Sequence, residues 1–203
     1  MQIENHKEEV PFAHYVQLFR DFRPQPELLD QRGIRWDGKE FYVNLLGREF
    51  AIAHPEFAIR TLDEGPVPPL TVQTFLLRYL MESKYVPWLG RWKTFREMPW
   101  GEMYVKPFSG RALARAAFTF SFKLDGFRAA CEKLGGTALR HGDAGYQLDF
   151  LGNYQMQIFI WAGDEEFPPS AQILYSDNFA EGFTAEDRVV AADILISTIK
   201  ANM

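Results

Sequence analysis

The spacing of apolar residues divides the chain into helical and extended stretches. Residues 14–22, HYVQLFRDF, place Tyr15, Leu18, Phe19 and Phe22 at helical intervals, and the prolines of RPQP at 23–26 end that run. A short helix over ELLDQRG follows and stops at Gly33, a residue suited to the left-handed position after a helix. KEFYVNLLGREFAIA reads as two short apolar runs, near 40–46 and 49–54, parted by Gly47-Arg48. It predicts a β-hairpin, with Pro55 ending the second strand. EGPVPP at 64–69 is a rigid connector. Thr71 predicts an N-cap. Val72, Phe75, Leu76, Tyr79 and Leu80, at i, i+3, i+4, i+7 and i+8, predict an amphipathic helix to about residue 83.

From 85 to 108 the prolines at 87, 99 and 107, the glycines at 90 and 101, and Trp88, Trp92 and Trp100 predict an irregular segment. It is too aromatic for a solvated loop and is expected to pack across the core. Residues 109–134 read as two helices that break near Asp125-Gly126 and end at Gly135-Gly136. Strands follow at about 145–151, 154–161 and 171–175, and Gly152-Asn153 joins the first two as an antiparallel hairpin. The apolar run Ile158–Trp161 marks the middle strand as buried on both faces. Thr184, with Asp187 three residues on, opens the last helix. Its apolar face is Val189, Ala192, Leu195, Ile196 and Ile199, and its polar strip is Asp193, Ser197 and Lys200. Clustered strands of this kind predict an α+β fold, a mainly antiparallel sheet with helices packed against it. The expectation is a single domain over 1–203, with residues 1–10 a candidate disordered end.

Composition narrows the function classes. Of the 203 residues 47% are hydrophobic and 15% aromatic, enough for a sizeable core. The net charge is −5 and no Lys/Arg cluster stands out, which argues against a nucleic-acid footprint and a polybasic membrane patch. The N-terminus, MQIENHKEEVPF, has no hydrophobic core of a signal peptide, and no apolar run approaches a membrane span; the expected location is cytoplasmic. A single cysteine, Cys131, excludes an internal disulfide and a multi-cysteine zinc or iron–sulfur site within this chain. Its setting, FRAACEKLGG, reads as a helix with a small buried hydrophobe. GxGxxG, GxxxxGK[ST], HExxH and GxSxG are missing, and His6, His14, His54 and His141 form no i,i+4 pair. No cofactor and no metal site is assigned.

Two segments carry candidate chemistry. WAGDEEFPPS, residues 161–170, sets Asp164, Glu165 and Glu166 between a strand and a double proline. Like charges this close need compensation. They can hold a hard cation, work as a general acid–base pair, or serve a turn and pair with arginines. Asp143 and Asp177 are further acids brought near by the expected pairing. RWKTFR, residues 91–96, places Arg91 and Arg96 around Trp92 and Phe95, with Trp88, Trp100 and Tyr104 close by. Aromatic faces with guanidinium groups can hold a planar anion, or simply fill the core. Arg96 beside Glu165 or Glu166 would join the two segments in one pocket. The candidate ligand-binding set is therefore Trp92, Arg96, Tyr104, Asp164, Glu165 and Glu166.

FLLRYL, then GRWKTFREMPWGEMY, then IWAGDEEFPPSAQILYSDN before a terminal helix, resembles the prokaryotic domain of unknown function 3786 family. Its pattern G-x-W-x-x-F-R-E-x-x-x-G falls on Gly90, Trp92, Phe95, Arg96, Glu97 and Gly101. Its signature W-x-G-D-E-E-F-P falls on Trp161, Gly163, Asp164, Glu165, Glu166, Phe167 and Pro168. The resemblance implies a bacterial or archaeal accessory to anaerobic redox or corrinoid metabolism. Some members carry a cysteine-rich iron–sulfur segment, which this chain lacks, and no residue role carries over. The first reading is a cytoplasmic binding or accessory domain with a small-molecule or protein partner, without nucleic acid or membrane. A second is a hydrolase- or lyase-type enzyme with Glu165 or Glu166 as acid or base, Arg96 stabilising an anion and His141 carrying a proton. A third is a protein-interaction module, which predicts an exposed apolar patch rather than a cleft.

Overall fold

In a computed structural model that describes residues 6–203, the chain divides between Tyr85 and Val86 into two units. The first holds three helices, α1 (Glu9–Asp21), α2 (Pro26–Gln31) and α3 (Leu70–Glu82), and four strands, β1 (Arg35–Trp36), β2 (Glu40–Leu45), β3 (Arg48–Ala53) and β4 (Ala58–Thr61). The candidate disordered end, 1–10, falls partly on residues 1–5, which lie outside the described residues, while Glu9 and Val10 already belong to α1. Helix α1 starts earlier than the 14–22 periodicity suggests because its aromatic contacts do. Phe12 meets Phe57 edge-on at 5.5 Å, and Phe19 meets Phe41, His54 and Phe57 at 5.7, 5.0 and 6.0 Å.

The hairpin β2–β3 is antiparallel, with Leu45 opposite Arg48. Its two-residue turn is Leu46-Gly47, one position before the expected break. Both residues have positive φ, 50° and 78°, as the primed turns that match strand twist require. A strand the pattern did not reveal, β4, pairs antiparallel with β3 after Pro55; it has only four residues, too few for alternation to register. Helix α3 begins at Leu70 with Pro69, not Thr71, as its N-cap, and the Thr71 hydroxyl donates to Glu8 at 3.1 Å.

The C-terminus of α3 is closed by a buried arginine. Arg32, 7% exposed, donates from Nη1 to the carbonyls of Tyr79, Leu80 and Ser83 at 3.0, 3.3 and 2.9 Å. Nη1 also reaches the Ser83 hydroxyl at 2.8 Å, and Nε donates to the Leu28 carbonyl at 3.1 Å. Helix ends leave carbonyls without partners at the negative pole of the dipole, so a cation there satisfies both demands. Gly33, at φ 72°, lets the chain turn back after α2, and the Ile34 N–H then reaches the Leu29 carbonyl at 3.0 Å.

The second unit is built on an antiparallel ladder in the order β6–β7–β8–β9–β5: Thr137–Leu139, Ala144–Leu151, Tyr154–Trp161, Ser170–Ser176 and Trp92–Thr94. Six of the eight residues of β8 are buried, as the Ile158–Trp161 run implied. Both units thus show an α+β architecture with antiparallel strands. The stretch expected to be irregular contains β5, a 3₁₀ turn (Phe95–Glu97) and a helix, α4 (Gly101–Phe108). Helix α4 runs on through a π-helical segment, Ser109–Ala114, into α5 (Arg115–Phe120). Pro107 removes one helical hydrogen bond, and the turn beyond it widens instead of breaking. The break expected at Asp125-Gly126 lies at residues 121–123, and α6 (Leu124–Lys133) passes through Gly126. Phe127 explains this: it packs on Phe120 at 5.0 Å and Tyr146 at 5.8 Å, a core anchor that outweighs glycine's weak helix propensity. Cys131 is fully buried on α6, and burial pushes its thiol up to about 12. After the short α7 (Phe179–Gly182), α8 (Ala185–Ala201) starts from Thr184 with the expected reciprocal cap to Asp187. Among the described residues no helix is long and apolar enough to cross a membrane.

Candidate functional site

Strand β9 separates the two candidate segments. Ser170, at one end, faces Trp161, and the acidic loop joins these two residues. Ser176, at the other end, faces Trp92. Ser176 is six residue steps from Ser170, roughly 20 Å at about 3.3 Å each.

At the Ser170 end the acidic run serves its own loop. Asp164 Oδ1 accepts from the N–H groups of Glu166 and Phe167 at 2.9 and 2.7 Å, and the Asp164 N–H reaches the Phe167 carbonyl at 2.9 Å. Gly163 is required there, because a Cβ would come within 2.7 Å of Pro169. Glu165 and Glu166 stay exposed. Asp143 does sit beside this loop, accepting the Ala162 N–H at 2.7 Å, and His141 packs edge-on against Phe159 and Trp161 at 4.9 and 5.4 Å. Asp177 belongs to the other end, where its carboxylate accepts the Leu89 N–H at 3.1 Å. Among the described residues no group of three or more His, Cys, Asp or Glu is arranged to hold a metal ion.

At the Ser176 end Trp92 is half-buried and meets Trp88 edge-on at 5.4 Å. The Arg96 pairing expected with Glu165 or Glu166 is not formed. Arg96 instead binds Glu102 in a two-point pair, Nη2 to Oε1 at 2.7 Å and Nε to Oε2. The reason is local: Gly101 starts α4 right after the 3₁₀ turn and brings Glu102 within reach. The Arg96 guanidinium holds the Glu102 carboxyl below its usual range. Glu97, the next acid, accepts from the Thr94 N–H and hydroxyl at 2.7 Å each. The six candidates therefore lie in four places: Trp92 on β5, Arg96 in the 3₁₀ turn, Tyr104 on α4, and Asp164, Glu165 and Glu166 in a solvated turn.

Around α4 the structure adds residues that sequence reasoning passed over. Trp100, Met103 and Tyr104 are 68, 70 and 50% exposed; Trp100 is the residue just before α4, and Met103 and Tyr104 lie near the start of the helix. Trp100 has φ 64°, a left-handed conformation uncommon for a large side chain. A Cβ on Gly101 would come 2.0 Å from the Phe95 carbonyl oxygen, so only glycine lets the chain pass. Beneath this segment lies Arg188, 1% exposed. Its Nη2 donates to the Pro99 carbonyl, its guanidinium carbon is 5.8 Å from the Phe95 ring centroid, and among the described residues Nε and Nη1 meet no acceptor. A usable signal was present: Arg188 precedes Ala191, Ala192, Leu195 and Ile199 by 3, 4, 7 and 11 residues. It is a charge in register with an apolar stripe.

The family model described as Domain of unknown function (DUF3786) matches residues 25–198, and the chain belongs to that family. No curated protein and no solved structure matches the chain.

Proposed function

We propose that this family member is a non-catalytic accessory domain that docks on a partner protein through Trp100, Met103 and Tyr104. The observation that supports this reading is the exposure of all three within five residues at the start of α4. Together they present on the order of 300–400 Å² of largely apolar surface, the size of patch that is often functional on a monomer. Trp and Tyr are the side chains most enriched at binding hot spots, and the exposed Arg96–Glu102 pair beside them suits a polar rim. The acidic loop gives the enzyme reading no support: Asp164 is engaged by its own backbone and Glu165 and Glu166 are solvated. An accessory to anaerobic redox or corrinoid enzymes, the role the family resemblance implies, would act through such a face.

The test is site-specific photocrosslinking in cells, with benzoylphenylalanine at Met103 and, as a control, at the exposed Glu186. The expected result is one adduct of defined mass at Met103, none at Glu186, and loss of the adduct in a Trp100→Ser, Tyr104→Ser chain that keeps its Tm. Equal labelling at both positions, or an adduct that survives the double substitution, contradicts the reading.

A further inference from the structure

We propose that Arg188 is an anion-binding site closed by the segment Met98–Gly101, and that its ligand is a small oxyanion, a carboxylate or a phosphate. This inference does not rest on the docking face.

A guanidinium carries five N–H donors, stays charged in a protein, and is costly to bury without acceptors. Arg188 is 1% exposed, yet among the described residues its one acceptor is the Pro99 carbonyl, while Nε and Nη1 have none. None of the acids on its own helix hydrogen-bonds it: Glu186 is exposed, and Asp187, whose charge still favours the cation, and Asp193 bind other groups. Asp187 accepts from the Thr184 N–H and hydroxyl at 3.2 and 2.6 Å. Asp193 accepts from Arg111 and Arg115 at 2.8 Å each. Tyr175 offers no charge, since burial holds its phenol well above its usual range and its hydroxyl donates to the Arg188 carbonyl at 2.8 Å. The site is thus a desolvated cation with donors to spare, and an oxyanion that displaces the Pro99 carbonyl from Nη2 can be gripped by two parallel hydrogen bonds, from Nε and Nη2.

The cover over this cation has the features of a movable clamp. Its carbonyl is the present acceptor, and the Gly101 N–H closes a tight turn on the Met98 carbonyl at 2.8 Å. Trp100 sits within that turn in the left-handed region, with its indole exposed. Backbone held in such regions clusters at ligand clamps. An oxyanion that takes the place of the Pro99 carbonyl on Arg188 shifts this turn, and Trp100 reports the shift.

The experiment compares wild type, Arg188→Met and Arg188→Lys in sodium phosphate or sodium acetate, each against sodium chloride at equal ionic strength. Wild type is expected to gain about 5–10 °C in Tm at one hundred times Kd, saturably, with one anion or both. Arg188→Met shows no gain over chloride, and Arg188→Lys shows a reduced one. Fluorescence of wild type minus Trp100→Phe follows the same saturation curve. Equal gains in wild type and Arg188→Met overturn the proposal, as does a wild type that neither anion stabilises beyond chloride. Should both Arg188 variants fail to fold, the Trp100 titration of wild type decides, and a flat signal overturns it. A missing adduct at Met103 in the crosslinking experiment leaves these outcomes unchanged, so the two readings fail separately.

Discussion

Arg32 in the first unit and Arg188 in the second are both buried arginines, and they have opposite hydrogen-bond environments. Arg32 is surrounded by the carbonyls of Leu28, Tyr79, Leu80 and Ser83. Arg188, among the described residues, has the Pro99 carbonyl alone. Burial by itself therefore says little about an arginine's role; the supply of acceptors does. Where the chain provides them, the cation closes a helix. Where it does not, the missing acceptors are expected from outside. Burial also lowers the pKa of Arg188, the direction expected of a cation held without sufficient compensation.

The largest expected effect lies on the satisfied side of this comparison. Arg32→Met leaves the last carbonyls of α3 buried without donors, and chemical denaturation is expected to show a loss of about 2–4 kcal/mol. Arg188→Met has the opposite sign. In chloride buffer, removing an uncompensated buried cation in favour of an apolar side chain is expected to leave stability unchanged or raise it by about 1–3 kcal/mol. A loss as large as that of Arg32→Met would erase the contrast. Thr184→Ala, which removes the cap that anchors α8 beside Arg188, is expected to cost about 1 kcal/mol by the same assay. Arg96→Ala breaks an exposed pair, and its Tm is expected to match wild type within error; a marked drop would mean that Arg96 holds more than Glu102.

A further effect, spread over both units, is acid-dependent. Hydrogen bonds hold five carboxyls below their usual values: Asp37 by the Glu40 and Lys39 N–H groups, Glu40 by Arg60, Asp63 by Arg48, Glu97 by Thr94 and Glu102 by Arg96. A depressed folded pKa gives stability that is present above the unfolded value and lost as pH falls through the folded one. These groups therefore leave Tm unchanged between pH 7 and about 5 and lower it below about 4. None of these carboxyls touches Arg188, so a calorimetric pH series of Arg188→Met is expected to parallel wild type.

Much of the fold was legible because its elements carry strong local signals. The turns at Gly33, Gly135 and Gly152, the reciprocal cap of Thr184 with Asp187, and the apolar run of β8 each point to one conformation. Helix α4 was not legible, because Gly101 and Pro107 at its two ends read as breakers. In the fold they are tolerated, by a passage too narrow for a side chain and by the π-helical turn. The same misreading hid the site. With α4 unseen, Glu102 could not be recognised as the partner of Arg96, nor Trp100, Met103 and Tyr104 as one exposed stretch. The three adjacent acids attracted notice because charge runs are conspicuous in one dimension, yet one of them only closes a turn. Arg188 escaped notice because its isolation depends on the cover from Met98 to Gly101, which comes from a distant part of the chain.

The most direct measurement follows the Nε–Hε proton resonances of Arg188 and Arg32 by nitrogen-correlated NMR during a phosphate or acetate titration, each assigned by its loss in the corresponding methionine or lysine variant. The Arg188 resonance is expected to move saturably with at least one of these anions beyond its response to chloride, while that of Arg32 stays in place. An Arg188 resonance that remains still, or one that moves only in step with Arg32, would contradict it.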